Sequence, residues 1–100
     1  MNKTMTMDQA QELLSKEQDL VLLDVRMPDE YAQGHIKGSI NIPLNQVPAI
    51  GAKYPDKNTR FLVYCQSGGR SAKACAFLEK LGYPNASNIG GFPSWKGEVE

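Results

Sequence analysis

A cysteine followed at once by a polar, glycine-rich turn and an arginine, Cys65-Gln66-Ser67-Gly68-Gly69-Arg70-Ser71, is where this chain can do chemistry. Successive backbone N–H groups in such a turn can face one concavity and bind an anion. A thiol at its rim is held toward thiolate, which is the nucleophilic form. Gly68 and Gly69 have no side chains to keep those donors away from a bound group. Arg70 adds a fixed charge with planar donors suited to an oxyanion. Ser71 can cap a helix or hydrogen-bond to the sulfur. A strand-end cysteine alone is ordinary packing. The paired glycines, the arginine and the serine beside it are not explained by packing.

Two elements must hold this loop. Phe61-Leu62-Val63-Tyr64-Cys65 is a short apolar run of the kind found in a strand buried on both faces. From Arg70 the pattern turns helical, with Ala74, Leu78 and Leu81 on one face and Gly82 as the stop. Cys65 therefore falls between a strand end and a helix N-terminus, where the helix dipole adds to the field of the turn. Cys75 sits beside Ala74 in the helical pattern and reads as a core-facing or half-buried thiol.

The remaining elements follow the same logic. Thr6-Met7-Asp8-Gln9 is a capping box opening a helix to about Lys16, with Met7, Ala10, Leu13 and Leu14 as its apolar face. Leu20–Leu23 is a buried strand leading to Asp24-Val25-Arg26. Pro28 to Gly34 is a short helix with proline near its start and glycine past its end. Ile40-Asn41-Ile42 is a short strand stopped by Pro43, and Val47 to Lys53 is another short helix with Pro48 at its first position. Pro55-Asp56-Lys57-Asn58 turns the chain into the central strand. Ala86–Ile89 is the last strand, Gly90-Gly91 breaks it, and Pro93–Glu98 is expected to close the chain as a short helix carrying Trp95. Strands alternating with helices give an α/β fold whose central, mainly parallel sheet is flanked by helices on both faces. In such sheets ligands bind beyond the carboxyl ends of strands. Cys65, the Asp24–Arg26 segment and Gly90-Gly91 all leave strands at such ends, so all three are expected to wall one site.

With 100 residues the chain is one domain, 1–100, and 41% hydrophobic content is that of a globular protein. Eleven basic and eleven acidic residues, interspersed, show no basic patch and argue against nucleic acid or an anionic membrane as partner. The aliphatic run Leu20–Leu23 is far too short to span a bilayer, and no apolar signal segment opens the chain. Two cysteines ten positions apart make no disulfide framework, and the expected location is the reducing cytoplasm. His35 is the one histidine; without an orienting partner it is expected to brace the turn Gly34-His35-Ile36 rather than act as a base for Cys65. One histidine and two separated cysteines are a poor metal set, so no metal site is expected. Arg26 and Glu30 are expected to pair with each other and fix the loop after their strand. Trp95 is expected in the core or at a pocket rim.

Taken together, Asp24-Val25-Arg26, Glu30-Tyr31, Gly34-His35-Ile36, Gly38-Ser39 and Asn41-Ile42-Pro43 resemble the N-terminal signature of the rhodanese (thiosulfate sulfurtransferase) homology domain. Val63 to Ser71 resembles its active-site loop, and Gly90-Gly91 with Trp95 its C-terminal signature. The resemblance implies a single rhodanese-like domain with about five parallel strands. It also implies covalent sulfur transfer with Cys65 as nucleophile and Gln66, Ser67, Gly68, Gly69, Arg70 and Ser71 as the binding loop. The donor would be thiosulfate or another sulfane compound. The acceptor would be cyanide, a thiol or a partner protein that receives the persulfide. No metal or organic cofactor is implied. Six residues from Cys65 to Arg70 inclusive make a shorter loop than the related phosphatases use, which favours sulfur over phosphate. The alternative from another class is a sulfur-carrier or interaction module that accepts sulfur without turning it over; a small phosphatase of the same fold ranks below it.

Overall fold

Side chains along a strand alternate between the two faces of its sheet, so an apolar run in a strand needs cover on both sides. The computed structural model, which describes residues 3–100, supplies that cover. The chain runs β1 (Lys3–Thr4), α1 (Met7–Lys16), β2 (Leu20–Asp24), α2 (Pro28–Gln33), β3 (Ile40–Asn41), a 3₁₀ segment (Leu44–Ala52), β4 (Arg60–Cys65), α3 (Gly69–Lys80), β5 (Ala86–Gly91) and a 3₁₀ turn (Phe92–Ser94). Phe61, Val63 and Cys65 of β4 pack with Ala74, Cys75 and Leu78 of α3 and with Val47 and Ile50 of the 3₁₀ segment. Leu62 and Tyr64 point the other way, against Met7, Ala10 and Ile36.

Among the described residues the strands form one sheet in the order β1-β5-β4-β2-β3, with every pairing parallel. β2 leads to a neighbour on one side and β4 to a neighbour on the other. The connections leaving their adjacent carboxyl ends therefore diverge and open a crevice there. The register places Asp24 beside Tyr64 and Cys65 beside Gly91, so the three expected wall segments meet at that end. No described helix is long and apolar enough to cross a membrane.

Three expectations change, and one strand was not expected. β1 carried no apolar pattern, being two exposed residues, and forms by pairing Lys3 and Thr4 with Ser87 and Asn88. The helix expected over Val47–Lys53 is a 3₁₀ segment that begins at Leu44, with Pro48 inside it. A proline there has no N–H to return to the fourth residue back, which disfavours an α-helix. Gly90-Gly91 does not end β5; the strand continues through a bulge at which Val63 pairs with Asn88 but Tyr64 with Gly90. The extra residue is Ile89, and pairing resumes at Gly90, whose φ of 98° suits glycine. The closing helix over Pro93–Glu98 is only the turn Phe92–Ser94. Beyond it the backbone pairs with the loop after α2: His35 N–H donates to Glu100 O, Glu100 N–H to His35 O and Lys37 N–H to Glu98 O. Trp95 packs partly buried against the α1 face, its indole N–H donating to Glu98 O.

Tyr64 ties the far side of this sheet to the loop after α2. Its buried hydroxyl accepts the Ile36 N–H at 3.1 Å and lies 3.0 Å from the Ser39 hydroxyl, which itself donates to Ile36 O at 2.7 Å. Tyr64→Phe leaves a buried donor without an acceptor, and we expect a loss of about 1–3 kcal/mol in urea unfolding at unchanged m. A change within error would mean that Ile36 finds another acceptor.

Candidate active site

Helix α3 begins without a side-chain cap: Gly68, the residue before it, adopts φ 95°, ψ −12°. The first N–H groups of a helix need acceptors. Here the acceptor is the sulfur of Cys65, which takes the Gly68 N–H at 3.0 Å and the Ser71 N–H at 3.4 Å. The Ser71 hydroxyl lies 3.4 Å from the same sulfur. Of the two uses foreseen for Ser71, the structure shows the contact with the sulfur; the N-cap position is Gly68, so Ser71 does not cap the helix. Cys65 is 0% exposed. Burial alone would raise its pKa. The Ser71 hydroxyl and the amides of Ser71, Ser67 and Gly68 outweigh burial, and the pKa falls below the ordinary thiol value. Cys75, also buried but surrounded by hydrocarbon, is pushed up to about 12 by burial.

The other loop residues do different work. Gln66, Ser67 and Gly69 are exposed and form the rim. The Gln66 side-chain oxygen accepts Arg26 Nη1 at 3.3 Å, which links the loop to the end of β2. The side chain of Arg70 turns to α2, where Nη1 and Nη2 donate to the two oxygens of Glu30 at 2.6 and 3.0 Å. The expected Arg26–Glu30 pair is therefore replaced by two others. Arg26 is buried with Asp24, donating from Nη2 to Oδ2 at 2.8 Å, and it also donates to Gly34 O at 2.7 Å. Asp24 lies two residues away on the same chain and was the nearer partner. Hydrogen bonds from Arg70 and from the Met27 N–H hold the Glu30 carboxyl down to about 2. A lowered carboxyl pKa keeps the clamp ionised at neutral pH and releases it only as pH falls through that value.

Sequence reasoning missed one residue and mispaired another. Asn88, at the β5 bulge, accepts from the Gly90 N–H at 3.0 Å and donates to Gly68 O at 3.2 Å, and its side-chain oxygen lies 2.7 Å from the Ser71 hydroxyl. An asparagine in a half-apolar strand just before Gly-Gly was the available signal. Glu30 is the mispaired one, expected with Arg26 in its own loop and found with Arg70. His35 braces its turn as expected: its ring stacks on Tyr31 at 3.6 Å and Nδ1 lies 2.8 Å from Tyr31 O. Among the described residues no group of three His, Cys, Asp or Glu gathers to hold a metal.

A parallel α/β sheet that ends its central strand in a thiol, with that thiol set in the amides of the following helix, belongs to the class of domains built around a cysteine-bearing anion loop. The comparisons narrow the class. The model of the rhodanese-like domain matches residues 6–98. Thiosulfate sulfurtransferase PspE of Escherichia coli (strain K12) is 44% identical over 70 residues, 69% of this chain and 67% of that protein. A sulfurtransferase of Allochromatium vinosum is 37% identical over 83 residues, 82% of this chain and 77% of that one. The human single-domain sulfurtransferase TSTD1 superposes with a TM-score of 0.82 at 27% identity, over 98% of this chain and 100% of its own. The chain belongs to the rhodanese-like domain family, and these named relatives are sulfurtransferases.

Two predictions arise from the site. Alkylation by iodoacetamide should modify Cys65 first, with a pH midpoint below the ordinary thiol value of about 8.5. Ser71→Ala should move that midpoint up; a midpoint at the ordinary value in the native chain would refute the cradle's effect. Gly91 provides the second, because a Cβ there would meet Gln66 O at 2.6 Å and Ser67 Cα at 3.1 Å. Gly91→Ala should push the loop off the sheet at a cost of about 1–3 kcal/mol. The Cys65 alkylation rate at neutral pH should fall with it, and an unchanged rate and stability would show that the loop yields freely.

Proposed function

We propose that this protein transfers sulfane sulfur through a persulfide on Cys65, with thiosulfate or a related persulfide or polysulfide as donor. The observation carrying the proposal is the placement of one sulfur as the acceptor for the first amides of α3, which favours its anion. Exposed Gln66, Ser67 and Gly69 give the donor's outer sulfur its way in. In the first half-reaction the Cys65 thiolate forms a bond to that sulfur. The donor's S–S bond breaks with its electron pair leaving on sulfite, and Cys65 carries a persulfide anion. The loop amides then stabilise charge on the outer sulfur, as an oxyanion hole does for oxygen. In the second half-reaction a thiophilic acceptor bonds to the outer sulfur and Cys65 leaves as thiolate. Cyanide gives thiocyanate by this route; a small thiol or a partner protein's thiol gives a new persulfide. The sequence is ping-pong covalent catalysis in which hydrogen bonds from the loop, rather than a general base, favour the anionic form of the nucleophile. A location in the reducing cytoplasm suits two cysteines that both stand free of disulfides.

The test is direct. Thiosulfate should add one sulfur to Cys65, seen by intact mass, and cyanide should remove it. Cys65→Ser should take up none. Ser71→Ala should slow turnover roughly 10- to 100-fold, the worth of a hydrogen bond to a charged acceptor. Sulfur on Cys75, or undiminished activity in Cys65→Ser, would overturn the proposal. Uptake without turnover would make the protein a carrier, and rapid release of phosphate from an aryl phosphate without sulfur uptake would make it a phosphatase.

A further inference from the structure

The buried Ser71 hydroxyl has one hydrogen and three acceptors within reach. Its oxygen lies 2.7 Å from Asn88 Oδ1, 3.0 Å from Gly68 O and 3.4 Å from Cys65 Sγ. What each acceptor already holds decides which of them takes the proton. Gly90 N–H can only donate and meets Asn88 Oδ1 at 3.0 Å, whereas Gly68 O can only accept and meets Asn88 Nδ2 at 3.2 Å. The Asn88 amide therefore has one orientation. Gly68 O also takes the Ala72 N–H at 3.1 Å, which fills its two lone pairs. Asn88 Oδ1 keeps one lone pair, and Ser71 lies against it.

The choice left is between Asn88 and the sulfur. A neutral thiol has a hydrogen of its own to give to Ser71 Oγ, and the hydroxyl then donates to Asn88, the shortest of its three contacts. A thiolate has none to give and, being charged, is the stronger acceptor, so the hydroxyl turns to it. We infer that Asn88 is a positioning residue for Cys65: its side-chain oxygen holds the Ser71 proton while the sulfur is neutral, as thiol or as the inner atom of a persulfide, and yields it when the thiolate forms. The inference rests on the sulfur-transfer proposal and adds a residue to its machinery. In the first half-reaction the thiolate bonds to the outer sulfur of thiosulfate and sulfite leaves with the S–S electron pair. The negative charge passes to the outer sulfur of the persulfide, and the inner sulfur becomes a weak, uncharged acceptor. No proton is gained or lost; the Ser71 O–H only rotates back to Asn88. The sheet keeps that acceptor in place, since Asn88 pairs with Thr4 on one side and Val63 on the other, and its own carbonyl takes the Met5 N–H at 3.0 Å. The ionised groups around the sulfur are already matched, Arg70 with Glu30 of α2 and Asp24 with Arg26 at the end of β2, and Cys75 of α3 stays a neutral thiol. The Asn88 side chain has its partners in Ser71, Gly68 and Gly90 instead.

The first measurement uses the native chain labelled with ¹⁵N and ¹³C. The side-chain carbonyl and amide resonances of Asn88 should shift as Cys65 is titrated, with the midpoint found by alkylation, and Ser71→Ala should remove most of that shift. Resonances that stay still, or that move as far in Ser71→Ala, overturn the inference. Asn88→Leu keeps the volume and leaves the Ser71 proton only the longer contact to Gly68 O as rival to the sulfur. The alkylation midpoint should then fall by about 0.5 to 1 pH unit. A loop that had merely been loosened would lose amide donors to the sulfur and raise the midpoint, so a rise overturns the inference. A fall of the same size when Asn88→Leu is placed on Ser71→Ala overturns it too, because no hydroxyl is then left to move. Above the midpoint, at a fixed ratio of thiosulfate to sulfite, the persulfide-to-thiolate ratio on Cys65 should drop about 3- to 10-fold in Asn88→Leu, the same balance read on the intermediate. An unchanged ratio overturns the inference. If native Cys65 takes up no sulfur at all, the sulfur-transfer proposal fails, while the two titrations, which use no sulfur donor, still decide what Asn88 does to the thiol.

Discussion

A helix cannot begin in the interior without something to receive its first N–H groups, and in α3 that something is a sulfur atom. The arrangement ties folding to chemistry. Gly68 lacks a side chain that could cap the helix, and its left-handed backbone turns the chain so that its own N–H and that of Ser71 converge on Cys65. The more negative that sulfur becomes, the better it serves as acceptor, and the helix dipole acts in the same direction. The start of the helix and the ionisation of the thiol therefore depend on the same two hydrogen bonds.

The contrast between the two cysteines shows that burial is not the deciding variable. Both lie in the same apolar cluster and both are essentially inaccessible. Cys75 points from the middle of α3, where every backbone N–H is already committed to the helix, and burial drives its thiol up to about 12. Cys65 lies one turn ahead of the helix, where N–H groups are still unclaimed, and its pKa falls. The sign of the shift depends on whether the thiol meets the open first turn of the helix or its closed middle.

Much of this was legible in the residues, for reasons that can be named. The strand over Phe61–Cys65, the helix after Gly69 and the capping box at Thr6 are local patterns whose physics is complete within a few residues. The loop was legible because glycine pairs, a cysteine and an arginine have few other uses in that order. What was not legible depends on tertiary partners. Lys3 and Thr4 become a strand only because β5 has an open edge, and Pro93–Glu98 forgoes a helix because Ile36 and Val99 offer a bridge. The exchange of partners among Asp24, Arg26, Glu30 and Arg70 is likewise invisible in sequence, since each acid is a reasonable match for either base until the strand ends are placed side by side.

That exchange also accounts for an otherwise expensive feature. Burying Asp24 and Arg26 at almost no exposure costs both of them their hydration, and the attraction between them only roughly repays it. Stability alone would be served as well by two apolar residues. Position would not. The Asp24 carboxylate holds the guanidinium by Nε and Nη2, and also takes the Arg26 N–H at 2.8 Å, so the arginine is fixed at both ends. Its remaining donors then reach Gln66 in the loop and Gly34 at the end of α2, while its flat face lies 4.7 Å from the centre of the Phe92 ring. One rigid cation thus sets the spacing between the end of β2, the end of α2 and the loop. Because α2 carries Glu30, that spacing also sets where Arg70 stands. An apolar pair would fill the same volume and transmit none of this.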